Sequence, residues 1–316
     1  MTKTIIRTVG VAGASGAVGR MVVEQLLRLR ESVESVVRLS RRNDVLQSPG
    51  KLALHERSVY RHIDYANVAS LQSSFDGLDV LIFPGSDGDP EQVLAHHINV
   101  IQVAVDCKVG CFIYLSTLGA DRNSPFPYAR VHGETERMLK AAANEKHMRI
   151  HILRASIFTE FFLETFIEPV ISTGILRLPI PCGKISFVSK VDVAAALAGA
   201  TVSTLEVDDQ EQFSDLTGPA ALSLSEFCSL FDVETKGRRN SQLEFAEMSE
   251  PTYREQLSRQ GYEPWLIEAF ATMLSFSIPG NYFAVVSGDI KTLSGEQPCS
   301  VAEVVAKTMP ARRASG

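Results

Sequence analysis

Tyr128 and His132 stand four residues apart, a spacing that puts both side chains on one helix face. A phenol beside an imidazole can pass a proton, orient a hydroxyl or steady a charge during a transfer. Ser116-Thr117 ends the apolar run Cys111-Phe-Ile-Tyr-Leu115, so a hydroxyl pair sits at the tip of a predicted buried strand. Ser116, Tyr128 and His132 are therefore the candidates for proton chemistry. A loop aromatic and a surface histidine would account for the helical pair as well. Arg41 and Arg42 follow another predicted strand, Val36–Ser40. Two guanidinium groups at a strand end suit a phosphate, through paired charge-assisted hydrogen bonds. A solvated basic loop is the plainer reading of the same pair.

What must position these residues begins at Val9-Gly-Val-Ala-Gly-Ala-Ser-Gly-Ala-Val-Gly19. A short apolar run leads into Gly13, Gly16 and Gly19, and then into a stretch with apolar residues at Met21, Val22, Leu26 and Leu29. This is strand, turn and amphipathic helix. Gly13 permits the tight turn, Gly16 lets the backbone approach a diphosphate, and Gly19 lets helix and strand pack closely. The free N–H groups of the helix start then face the anion. In such folds an acidic residue after the second strand meets a ribose 2′-hydroxyl, whereas arginine meets a 2′-phosphate. Arg41 and Arg42 thus favour NADPH over NADH.

Predicted strands at 59–63, 79–84, 111–116 and 149–153 alternate with predicted helices at 68–75, 91–107 and 128–144. That alternation implies an α/β, Rossmann-type doubly wound parallel sheet with right-handed crossovers. The ligand then belongs outside the C-terminal strand ends, at the switch between the first and fourth strands. Residues 1–155 are expected to form the NAD(P)-binding domain, with a strand at 185–188 and a helix from 191 returning to the sheet within 185–204. Residues 156–184 and 205–309 are expected to form a smaller substrate lobe, and 310–316 a tail. Phe158, Phe161 and Phe162 open an aromatic-rich segment that would roof a flat substrate or belong to the core.

Composition bounds the rest. The 316 residues are 45% hydrophobic and 22% charged, with a net charge of -6. That balance is globular and leaves no strong positive field for a nucleic acid. The five cysteines form no CxxC pair and no metal-ligand spacing, which fits a reduced, cytoplasmic protein without a metal. The apolar stretch 150–181 is broken by Arg154, Glu160, Glu164 and Glu168, so no membrane span is expected. The chain starts almost directly on its first strand, and no signal peptide is expected. A homodimer is allowed but not specified.

The chain resembles the atypical short-chain dehydrogenase/reductases, and among them the NmrA-like, quinone-reductase-type group. The carrying residues are Gly13-Ala-Ser-Gly-Ala-Val-Gly19, Leu39-Ser-Arg-Arg42, Asp64-Tyr65, Phe112-Ile-Tyr-Leu-Ser-Thr117, His132-Gly-Glu-Thr-Glu136 and Val191-Asp-Val-Ala-Ala195. The resemblance implies NADPH as cofactor, held by Gly13, Ser15, Gly16, Ala17, Val18, Gly19, Arg41, Arg42, Asp64, the Phe83-Pro84-Gly85-Ser86 loop, Ser116 and His132. It implies hydride transfer to a small conjugated acceptor such as a quinone or an enone. Its alternative is a non-catalytic NADP(H) sensor. The tyrosine-lysine pair typical of the superfamily stands here as Tyr128 and His132, and a mostly neutral histidine is a poor substitute for a permanent cation. Asp64 would reach the adenine or cap the following helix.

Overall fold

Strands buried on both faces cannot alternate apolar and polar residues, and this chain supplies several such runs. β1 (Ile6–Ala12) is buried from Val9 onward, β4 (Val80–Phe83) throughout, and β5 (Cys111–Thr117) as far as Ser116. With β2 (Val33–Ser40), β3 (Ser58–His62) and β6 (Arg149–Ala155) they form the expected parallel sheet. The computed structural model describes residues 6–41, 56–146, 148–206, 209–235 and 238–308. Arg42 and the tail at 310–316 lie outside the described residues.

Helices α1 (Ala17–Arg28), α2 (Val68–Phe75), α3 (Pro90–Asp106) and α4 (Pro127–Lys146) cross between the strands. Local chemistry sets where two of them begin. Asn67 accepts from Ser70 N at the head of α2, and Asp89 accepts from Glu91 N and Gln92 N at the head of α3, with Pro90 in the first turn. The sheet runs β3-β2-β1-β4-β5-β6 and continues to a seventh strand, β8 (Glu211–Leu216). Between β1 and β4 the strand order reverses, so a crevice opens at their C-terminal ends. One face carries Val9, Val11, Ile82 and Ile113 against α1 and the later helix α6 (Lys190–Glu206). The other carries Leu39, Phe83, Phe112 and Tyr114 with Leu71 and Phe75 of α2, Val100 and Ala104 of α3, and Leu139 and Ala143 of α4.

Two sheet assignments differ from the expectation. Residues 185–188 form no sheet strand and make only the isolated bridges Ile185–Leu222 and Phe158–Val188. They are apolar because Ile185, Phe187 and Val188 are buried where the lobe meets the sheet. The seventh strand is β8 (Glu211–Leu216), paired parallel with β6 from Ile150–Glu211 to Ala155–Leu216. Its polarity hides it in the sequence. As an edge strand it buries only Ser214 and Leu216, while Phe213 stays 43% exposed.

A third apolar cluster gathers Phe162, Phe166, Phe187, Phe227 and Leu274. It holds the short helix α5 (Thr159–Phe162), β7 (Ile175–Leu178) and the helices at 250–259 and 264–272. The chain from Asn281 to Asp289 then straps the C-terminal sheet edge. Phe283 O accepts from Ser186 N at 2.7 Å, Ser287 N donates to Thr217 Oγ1 at 2.9 Å, and Asp289 Oδ2 accepts from Asp215 N at 2.7 Å.

Candidate functional site

The glycine turn is a cradle that side chains could not enter. Gly13 has φ 65, the left-handed region. At Gly19 an added Cβ would stand 2.2 Å from Gly13 O, so strand and helix touch backbone to backbone there. Gly16 N donates to Gly13 O at 2.8 Å and closes the turn, and Ala14 N donates to Leu39 O at 3.1 Å, tying the turn to the end of β2. Gly16 precedes α1 without a side-chain cap, which leaves the first N–H groups of the helix for an anion. Ala17 is exposed, Ser15 and Val18 are half-buried, and Arg41 is exposed at the end of β2.

Around the cradle stand polar atoms without partners. The Tyr65 hydroxyl is buried, unpartnered and 3.5 Å from the place a Gly13 Cβ would take. Ser86 Oγ and His96 Nδ1 are likewise buried and unpartnered. Burial pushes the Tyr65 phenol up, with the Arg41 charge opposing it, and burial pushes the His96 imidazole down, with Asp64 opposing and Arg41 assisting. Arg41, Asp64, Tyr65 and His96 therefore share one corner of the crevice. Buried groups without partners are rare unless a ligand completes them. The cradle and these orphans fit a dinucleotide. Asp64 itself accepts from Ala66 N at 3.0 Å and shapes the turn before α2, whose cap is Asn67.

At the other end the three candidates for proton chemistry are drawn into the protein. The Tyr128 hydroxyl donates to Gly88 O at 2.6 Å and anchors the β4–α3 loop. Burial and the carboxylates of Asp87 and Asp89 push its phenol up to about 12. Ser116 Oγ donates to Glu136 Oε1 at 2.7 Å. Glu136 in turn receives Arg154 Nε at 2.9 Å and Nη2 at 2.6 Å. His132 Nδ1 lies 2.6 Å from the Tyr114 hydroxyl. Burial holds the His132 imidazole down at about 4, although the Glu136 carboxylate pulls it upward. At neutral pH it is uncharged.

Two other expected site residues are also turned inward. Phe83 is fully buried, 5.5 Å from the Tyr65 ring and 4.9 Å from His97 between centroids, so only the backbone of its loop borders the crevice. Pro84 and Gly85 follow, half-buried, Gly85 with φ 93. Phe162 has no exposed surface and packs on Phe166, Phe187 and Phe227, which makes it a core residue. Phe158 and Phe161 are half-buried, Phe158 toward the sheet and Phe161 toward the lobe.

The structure adds Tyr114, His97, Thr135, Glu136 and Arg154 to the site. For Tyr114, Thr135 and Glu136 the signal was present in the spacing. Tyr114 and Ser116 share a strand face at a period of two, and His132, Thr135 and Glu136 share a helix face at i, i+3 and i+4. Only the packing of that helix on that strand makes the two faces one site. Among the described residues no group of His, Cys, Asp or Glu could hold a metal ion, and no helix is long and apolar enough to cross a membrane.

The sheet order, the glycine cradle and the crevice at the strand switch define an NAD(P)H-binding domain of the Rossmann type. Residues 13–165 match the model of the family described as NAD(P)H-binding. Over 253 residues the chain is 24% identical to prestalk A differentiation protein A of Dictyostelium discoideum, covering 79% of this chain and 76% of that one. Its fold is similar to that of the NADPH-dependent quinone oxidoreductase from Escherichia coli solved with NADPH, with TM-score 0.79, 24% identity and 96% and 99% of the two chains covered. It is also similar to the Citrobacter sp. triphenylmethane reductase complexed with NADP(H), with TM-score 0.76, 22% identity and 95% and 99% covered. The likeness to the solved structures, at these identities, carries the fold. Together the matches bear out the NAD(P)H-binding, Rossmann-type fold that the resemblance to the short-chain dehydrogenase/reductases implied.

Proposed function

We propose that the protein is an NADPH-dependent reductase whose acceptor is a flat conjugated carbonyl compound, a quinone or an enone. The observation that carries this reading is that, among the described residues, none of Tyr128, His132 and Ser116 is set up as a strong acid. The Tyr128 phenol is committed to Gly88 O and pushed up to about 12, the His132 ring is neutral, and Ser116 is committed to Glu136. A quinone suits such a site, because its reduced anion is stabilised by its own ring and needs no powerful proton donor. Solved relatives of like fold include a quinone oxidoreductase and a triphenylmethane reductase, which agrees with this class of acceptor.

When bound, NADPH supplies the hydride. The chain's own residues bind and orient. Gly13, Gly16 and the uncapped head of α1 receive the diphosphate, and Arg41 receives the 2′-phosphate. Tyr128 fixes the β4–α3 loop beside the reacting end, and neutral His132 donates a hydrogen bond to an oxygen there. An imidazole can polarise a carbonyl without becoming a cation. The lobe covers the acceptor. On its strap Tyr282 lies against Gly119, just beyond β5, and stacks with Phe276 at 5.7 Å between centroids. The two rings are 41% and 40% exposed, a flat apolar surface beside the crevice. Positioning supplies most of the catalysis in this scheme.

The test is a spectrophotometric assay of purified protein with NADPH and a panel of quinones and enones. NADPH consumption with at least one of them supports the reductase. Tight NADP(H) binding with no turnover on the whole panel would overturn it in favour of a redox sensor.

A further inference from the structure

Tyr114 lies wholly inside the protein, yet its hydroxyl meets two histidines from two different helices. His132 Nδ1 of α4 stands at 2.6 Å and His97 Nδ1 of α3 at 3.4 Å. The protons in this cluster can be assigned by counting donors and acceptors. Thr135 Oγ1 gives its hydrogen to Val131 O at 2.7 Å. Towards His97 Nδ1, 2.9 Å away, Thr135 is therefore the acceptor, and His97 Nδ1 carries a hydrogen. A protonated Nδ1 cannot accept from Tyr114. The Thr135 hydroxyl also stands near the phenol, but its closer partners are His97 Nδ1 and Val131 O. The buried phenol hydrogen therefore goes to the nearer nitrogen, His132 Nδ1, because a buried donor left without an acceptor keeps its full desolvation penalty. With its Nδ1 lone pair occupied and its ring neutral, His132 has its hydrogen on Nε2. That nitrogen makes no hydrogen bond among the described residues, and His132 is half-buried rather than sealed in the core.

We infer that Tyr114 is a positioning residue, whose buried hydroxyl donates to His132 Nδ1 and holds His132 in the neutral tautomer that presents an Nε2–H to the crevice. The direction of that N–H gives His132 one polarity, a donor to an acceptor oxygen or a ribose hydroxyl and never a base. Thr135 and His97 form the layer behind, closing the alternative in which Tyr114 would receive rather than give. A lysine could not be held in this way, since an ammonium has only donors. Histidine at this position is thus matched to a phenol behind it. The inference rests on the reductase reading only for what the Nε2–H contacts. The tautomer itself is a property of the ligand-free chain.

The experiment is long-range nitrogen–proton NMR of the ligand-free full chain with nitrogen-labelled histidine, the His132 ring assigned by its loss in His132→Gln. At neutral pH the spectrum should show a protonated Nε2 and an unprotonated, hydrogen-bonded Nδ1. In Tyr114→Phe the Nδ1 signal should shift to that of a free lone pair, and the single tautomer should become a mixture. A protonated Nδ1 in the wild-type protein overturns the proposal, as does an unchanged His132 spectrum in Tyr114→Phe. If Tyr114→Phe does not fold, the wild-type tautomer alone decides. In the reductase assay the same variant should lose about tenfold in kcat, the size of one weakened neutral hydrogen bond, with little change in KM for NADPH. No turnover by a wild-type protein that shows the expected tautomer would sink the reductase reading and leave the proposal standing.

Discussion

In the proposed function, Arg41 is the residue on which the choice between the two nicotinamide cofactors turns. It is exposed, it ends β2, and its charge reaches Tyr65 and His96 beside the glycine cradle. A charge-assisted hydrogen bond to a 2′-phosphate contributes roughly 1.5–3 kcal/mol, about ten- to hundredfold in affinity. Arg41→Ala should weaken NADPH by that factor, leave NADH nearly unchanged and flatten the salt dependence of NADPH binding. Calorimetry with both cofactors at two ionic strengths checks this. Equal losses for both would make Arg41 a structural residue, and a wild-type preference for NADH would reverse the assignment. His132 and Tyr128 carry the second lesson of this scale. Each side chain is already bound to a group the fold brings from elsewhere, His132 to Tyr114 and Tyr128 to Gly88.

At the scale of elements, the β1–α1 turn separates two jobs that its glycines share in the sequence. Gly16 has an extended backbone, and a Cβ there would stand 3.2 Å from Gly13 O, which a small shift relieves. Gly16→Val should fold with a near-normal urea midpoint and lose NADPH binding, since its side chain would occupy the space a diphosphate needs. At Gly19 a Cβ would stand 2.2 Å from Gly13 O and 2.8 Å from its carbon, both backbone atoms. Gly19→Ala should therefore cost stability itself, on the order of 2–4 kcal/mol, by prising α1 from β1. Equal stability of the two variants would show that the turn yields more than its geometry implies. β6 and α4 are joined by the Arg154–Glu136 pair, which also holds Ser116, so the same contact fastens the sheet and shapes the site.

At the scale of the whole molecule, burial holds His97, His132 and His151 uncharged among the described residues. Burial keeps His97 well below the usual imidazole range, and His132 and His151 at about 4. The unfolded chain takes up protons on these rings near pH 6.5, whereas the folded chain resists until about pH 4. Across that window the unfolded state binds more protons, so stability falls as pH falls. It is fully present above about 6.5 and progressively lost towards 4. Each ring with a folded value near 4 would cost on the order of 3 kcal/mol at the acid end. Urea denaturation at several pH values should show the midpoint sliding down through this range. His151→Gln should reduce the slope, because the His151 ring is bonded on both nitrogens, to Thr204 Oγ1 and Ser214 Oγ, and its titration is removed. A midpoint constant from pH 6.5 to 4.5 would contradict the burial of these rings.

What the sequence by itself determined was local. A glycine turn, a buried apolar run and a helical stripe each declare themselves within a dozen residues, because backbone freedom and hydrophobic period are properties of neighbours in the chain. From those came the parallel α/β sheet, the crevice at the strand switch and the cradle at Gly13–Gly19. One sheet edge was assigned to the wrong segment for the same reason. An edge strand such as Glu211–Leu216 needs little apolar surface, and the apolar Ile185–Val188 is buried by the lobe rather than by pairing. Only the tertiary structure decided what each polar group does. Ser116 finds Glu136 20 residues away, Tyr128 finds Gly88 40 residues away, and Tyr114 finds His132 at 18 and His97 at 17. A hydroxyl's type can be read from its letter. Its partner depends on how α3 and α4 pack against β5, and that partner decides whether a tyrosine is an acid, an anchor or the support behind a histidine.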